Sequence, residues 1–130
     1  MKRLLVLLAA LLGITVLAAC GSSGTVKTVD PQTFLATAAQ SGVVLVDVRT
    51  PAEYSAGHIV GAINIDVEAP SFSDAIAKLD KNATYAVYCH SGRRSGLATD
   101  AMAKAGFTHV FNLIVGIADL QSAGGQVITS

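Results

Sequence analysis

Cysteine is scarce in this chain, and the scarcity excludes a good deal. Of the 130 residues, only Cys20 and Cys89 carry a thiol. Cys20 closes an N-terminal leader, so Cys89 stands alone: no intrachain disulfide framework is available, and no resolving thiol exists for redox sensing. Charge is sparse too, with 14% of residues charged and a formal net charge of zero. Nothing basic enough for nucleic acid is present. The three histidines, His58, His90 and His109, are scattered without metal-ligand spacing. Neither metal nor other cofactor is expected. From Val26 onward there is no internal repeat and no low-complexity tract.

A long apolar run occurs once. After Lys2 and Arg3, an uncharged stretch extends from Leu4 to Ala19. It is shorter than the roughly 18–20 residues of a spanning helix, and it has the charged start, apolar middle and small-residue end of an export signal. A retained N-terminal anchor is the alternative. Leu17-Ala18-Ala19-Cys20 resembles the lipobox of bacterial lipoproteins, which implies cleavage before Cys20 and its modification by lipid. An anchor of more than one chain suffices for stable membrane attachment. The expected organisation is a signal over 1–19, lipidated Cys20 and a Gly/Ser tether over 20–29, and one domain over 30–130. The expected location is outside the cytoplasm, at the outer face of the cell membrane or in the periplasm. Without the leader, the seven remaining basic residues face nine acidic ones, a net charge of −2.

Within the domain, short apolar runs alternate with helical patterns. Pro31 suits the first position of a helix bearing Phe34, Leu35 and Ala38 on one face, with Gly42 past its end. Val43–Val48 is a β-branched run expected of a strand buried on both faces. A short strand fits 61–66, a helix with a serine cap fits 71–80, and strands fit 84–89 and 109–113. A helix fits 95–107, with Gly106 as its stop, and a last short helix starts near Val115. The fold class is therefore α/β, a single domain with a mainly parallel central sheet and helices on both faces. Ligands in such sheets bind beyond the carboxyl ends of strands, where Cys89 and Asp47 are expected.

The segment Cys89-His90-Ser91-Gly92-Arg93-Arg94-Ser95 joins a strand to a helix. Gly92 can take positive φ, which lets successive N–H groups curl inward as an anion-binding nest. The helix N-terminus adds its positive end, and Arg93, Arg94 and His90 add charge nearby. Each of these favours an ionised sulfur and lowers the Cys89 pKa. A buried structural cysteine needs none of them.

This loop resembles the active-site loop of rhodanese-like sulfurtransferases, with its cysteine, x, x, glycine, x, arginine, serine pattern. Asp47–Ile65 is similar to the family's other signature, matching at Asp47, Arg49, Glu53, Tyr54, Gly57, His58, Ile59, Gly61, Ala62 and Asn64. The resemblance implies a double displacement. Cys89 thiolate takes the outer sulfur of a donor such as thiosulfate, then passes it to cyanide in the assay or a thiol in life. It also implies Arg94 as the arginine that orients the loop, with Arg93 facing the donor anion and His90, Ser91, Gly92 and Ser95 lining the loop. Asp47, Arg49, Glu53 and His58 are expected to support it, Glu53 and Tyr54 in a short helix after Pro51. The partners implied are a small sulfur-donor anion and a thiol or cyanide acceptor, with a protein acceptor as a further option. One departure stands out: Val115 replaces a glycine, and Leu120 stands where tryptophan is common, which leaves the pocket wall and the acceptor open.

Two other functions remain in view. Phosphatases and arsenate reductases on the same fold resemble cysteine, five residues, arginine, whereas the fifth residue after Cys89 is already Arg94. The shorter loop favours a lone sulfur over a tetrahedral oxyanion. A persulfide carrier or interaction module without turnover is the other alternative.

Overall fold

The computed structural model describes residues 25–130. The expected signal over 1–19, Cys20 and the start of the tether lie outside the described residues. Along the chain run β1 (Val26–Val29), α1 (Pro31–Ala38), β2 (Val43–Asp47), α2 (Pro51–Ala56), β3 (His58–Ile59), β4 (Ile63–Asn64), α3 (Phe72–Ala77), β5 (Thr84–Tyr88), α4 (Arg93–Lys104), β6 (His109–Leu113), α5 (Ile117–Ser122) and β7 (Val127–Ile128).

Five strands form one parallel sheet in the order β1-β6-β5-β2-β4. β3 and β7 pair antiparallel beside it. β5 lies at the centre, and its Tyr85, Ala86, Val87 and Tyr88 are all buried, which is why that run reads as continuously apolar. Its side chains alternate between two cores. Tyr85 and Val87 join Phe72 and Ile76 of α3 and Ala98 and Met102 of α4. Ala86 and Tyr88 join Phe34 of α1 and Leu120 of α5 on the opposite face. Phe34 meets the Tyr88 ring edge-on, with centroids 6.2 Å apart. Fully burying each such side chain stabilises by about 1.5–3 kcal/mol.

Local chemistry sets the helix starts. Asp30 accepts from Thr33 N at 2.7 Å, and Pro31 follows it at the first turn of α1. Thr50 and Glu53 form a reciprocal capping box on α2.

Several boundaries differ from the sequence reading. β1 lies inside the stretch read as tether: Val26–Val29 pairs in parallel register with Val110–Leu113, and two valines three positions apart suffice when a neighbouring strand supplies the hydrogen bonds. The serine cap expected on α3 is not formed, because Ser71 has αR backbone and makes no side-chain cap bond. The strand expected over 61–66 is reduced to Ile63–Asn64, as Asp66 instead accepts from Glu68 N in a turn. α4 starts at Arg93, two residues early, so the cysteine loop is shorter than expected.

Because the sheet is parallel, β2 and β5 end on the same edge. Asp47 is in register with Tyr88, so the residues after each strand face each other across a few ångströms.

Candidate active site

Cys89 is the first residue beyond β5, and the turn His90–Gly92 carries the chain straight into α4. The turn is possible because Gly92 has φ +93°, a left-handed conformation that favours glycine. It folds the backbone so that Gly92 N–H donates to Cys89 Sγ at 3.0 Å. Ser95 Oγ stands 3.5 Å from the same sulfur and donates its proton to Gly92 O at 3.2 Å. A thiol gives its proton to Ser95. A thiolate instead receives the Ser95 hydroxyl.

Burial pushes the Cys89 pKa upward, and is the largest single influence. The Ser95 hydroxyl and the backbone N–H groups of Ser95, Ser91 and Gly92 together outweigh it and hold the thiol below the ordinary cysteine value. Cys89 has no exposed surface and packs against the apolar cluster of β2, β5 and α4 on one side. It is thus both buried and hydrogen-bonded, the combination that separates a polarised sulfur from a simple core cysteine.

The turn is clamped from outside by the segment that follows β6. Gly116 lies against the His90 backbone so closely that a Cβ there would overlap the His90 carbonyl. A Cβ at Gly92 would come 2.5 Å from Ile114 O. Ile117 N–H donates to Cys89 O at 3.1 Å. Where the sequence departs from the pattern, Val115 packs at the edge of the α1–α5 core and Leu120 is fully buried within it.

The charged residues are arranged as two compensated pairs. Arg94 makes a two-pronged contact with Glu53, Nη1 to Oε1 at 2.7 Å and Nη2 to Oε2 at 2.9 Å. The Arg94 guanidinium, with help from Thr50, holds the Glu53 carboxyl down to about 2. This bridge ties α4 to α2. Asp47, fully buried, takes Arg49 Nη2 at 2.7 Å and the Tyr88 hydroxyl at 2.8 Å. Arg49 also donates to Gly57 O, and Tyr88 accepts from Ile59 N at 3.0 Å. Tyr88 is therefore the junction between β5, β2 and β3. Burial and the Asp47 carboxylate push its phenol pKa well above the usual tyrosine range.

The other expected residues fall as follows. His58 is buried, stacks on Tyr54 with centroids 3.7 Å apart and bonds Tyr54 O through Nδ1. His90 and Ser91 are exposed on the turn, and Arg93 is exposed at the start of α4. Arg93 makes no ion pair among the described residues, so it is the cation next to the turn that is left uncompensated. Beside the turn opens a cleft of about 410 Å³, bounded by His90, α2 and α5.

The chain is similar to several known proteins. The Rhodanese-like domain model matches residues 30–123. The thiosulfate sulfurtransferase PspE of Escherichia coli K12 is 45% identical over 67 residues, covering 52% of this chain and 64% of that protein, just under two thirds of its length. The thiosulfate sulfurtransferase GlpE of Pseudomonas entomophila L48 is 37% identical over 87 residues, covering 67% and 77%. Among solved structures, a rhodanese from E. coli with anions is 36% identical, with a TM-score of 0.56 over 68% of this chain and 99% of that one.

Proposed function

The chain belongs to the family of rhodanese-like domains, and from that premise we propose that it is a sulfurtransferase working through a persulfide on Cys89. The observation that carries the proposal is the Gly92 N–H aimed at the sulfur from 3.0 Å, with Ser91, Ser95 and the Ser95 hydroxyl around it. Such fixed dipoles favour an anion on the sulfur without a general base. The names of PspE and GlpE support thiosulfate as the donor.

In the first step, Cys89 thiolate attacks the outer sulfur of thiosulfate. The donor's S–S bond breaks, and sulfite leaves with the bonding pair. In the second, an acceptor thiolate attacks the outer sulfur of the persulfide, and Cys89 takes back the electron pair as thiolate. Because Cys89 has no exposed surface, both steps require the His90–Gly92 turn to shift. Arg93 meets the incoming donor anion. Arg94 and Arg49, already paired, hold the turn and its neighbour rather than the substrate. On the strength of Leu17–Cys20, the proposal extends to an exported, lipid-anchored protein, tested by palmitate incorporation that Cys20→Ala abolishes.

The test of the chemistry is direct. Incubating the full-length chain with thiosulfate should add about 32 Da, the mass of one sulfur in a covalent intermediate, and Cys89→Ser should show no gain. An unchanged mass in the native chain, or turnover of aryl phosphates lost in Cys89→Ser, would overturn the reading.

A further inference from the structure

The basic residues of the domain are sorted by type. Its four lysines lie at the end of the sheet where β1, β2, β5 and β6 begin, and its three arginines lie at the end where Cys89 stands. Lys27 is the second residue of β1, Lys78 follows the last turn of α3, Lys81 is in the turn before β5, and Lys104 ends α4. All four are exposed. Their segments adjoin: Thr108 N–H donates to Lys81 O at 3.2 Å, and Lys27, Thr108 and His109 line one hollow of about 190 Å³. Only Asp80 and Asp100 stand among the lysines, and Asp100 is committed to Lys104 at 3.1 Å. Lys27, Lys78 and Lys81 have no ion-pair partner among the described residues. Four lysines against two acids leave this end positive, while three arginines against the other seven acids leave the Cys89 end negative. A body charged in this way has a preferred orientation over an anionic surface.

The chain enters the domain at the lysine end, through β1. Five residues separate Cys20 from Val26, a reach of about 20 Å at full extension. Resting on the lipid-anchored reading, we infer that the lysine end docks on an anionic lipid bilayer through Lys27, Lys78 and Lys81, with the Cys89 turn facing away from it. A lipid on Cys20 keeps this end within about two Debye lengths of the headgroups, where each lysine is attracted by anionic lipid. The five residues of β5 then hold Cys89 about 17 Å further out, beyond most of the field that would repel an anionic sulfur donor.

The full-length chain is reconstituted with vesicles of neutral phosphatidylcholine and, separately, with vesicles containing about 30% phosphatidylglycerol, in about 0.1 M salt. Acetylation of each lysine is timed by mass spectrometry. On the anionic vesicles Lys27, Lys78 and Lys81 should react more slowly than on the neutral ones by about fivefold or more, the weight of a single lysine near an anionic surface. Raising the salt to about 0.5 M should remove the difference. Lys27→Gln combined with Lys81→Gln should bring Lys78 toward one rate on both vesicles, with persulfide loading of Cys89 in solution unchanged. Equal rates for the native chain on the two vesicles, a difference that survives salt, or protection of Lys78 unmoved by the double variant would overturn the docking face alone. So would equal protection by soluble polyglutamate, which would assign the face to an acidic protein. A chain that floats with neither vesicle would overturn the anchored reading and this inference with it.

Discussion

Gly116→Ala is the most demanding test of how the cysteine turn is held. Gly116 has φ −125°, open to any residue, so the substitution carries no backbone strain of its own. Its cost is purely steric. The new methyl would overlap the carbonyl oxygen and carbon of His90 and stand 3.0 Å from Ser91 N. These are backbone atoms, with no rotamer through which to escape. Ordinary contact returns only after a shift on the order of 1.5 Å, larger than the bonds from Ile117 N to Cys89 O and from Gly92 N to Cys89 Sγ can absorb. Overpacking of this kind costs about 2–3 kcal/mol, which lowers the melting temperature by roughly 10–20 °C for a domain of this size. Persulfide loading should fall with it, since the ring of N–H groups loses its shape. Gly96→Ala supplies the opposite sign: Gly96 lies inside α4 with nothing within 4 Å of its Cβ position, and alanine there should stabilise by about 0.5–1 kcal/mol. Thermal melts and timed mass spectrometry on both variants decide the matter. A Gly116→Ala protein that melts with the native chain and loads at its rate would refute the clamp.

Ser95→Ala removes the hydroxyl beside the sulfur, one of the groups that hold the Cys89 pKa down, so the pH midpoint for alkylation of Cys89 should move upward; an unmoved midpoint would mean that the backbone N–H groups act alone. Glu53 has a folded pKa depressed from 4.5 to about 2, so its pairing stabilises fully above about pH 4.5 and fades as the pH falls toward 2. Glu53→Gln should therefore cost about 1 kcal/mol at neutral pH, discounted for the exposure of the pair, and the gap to the native chain should close in acid melts. Tyr88→Phe strips the bridge between Asp47 and Ile59 N and leaves a buried N–H unpaired, a loss of about 1.5–3 kcal/mol read by denaturant midpoint.

The strands that carry the site were legible because they are buried on both faces. Val43–Val48, interrupted by Asp47 alone, and Thr84–Cys89, apolar after its first residue, read as strands, and the structure places them side by side in parallel register. The edges were not. β1 has exposed Lys27 and Thr28 between two valines, a pattern too short to distinguish from a polar linker, and only its pairing with β6 makes it a strand. β3 and β7 have two residues each and owe their form to each other across the chain. Periodicity needs length to speak.

The same division runs through the site. A turn is local, so Gly92 and the N–H groups it redirects could be read from seven consecutive residues. Ion pairing is not local. The sequence offered two adjacent arginines and no means of knowing that one of them meets Glu53, which lies 41 positions away. In the structure the Thr50–Glu53 capping box, with its three-residue spacing, fixes Glu53 in place for that contact. Once Arg94 is committed to that carboxylate and Arg49 to Asp47, both serve as ties between elements, and the polarisation of Cys89 comes from main-chain dipoles and one hydroxyl, with the Arg94 charge adding its attraction. That is why burial, which alone would raise the thiol pKa, is tolerated here: dipoles fixed by the fold need no water to act, and they weaken little when the sulfur is covered.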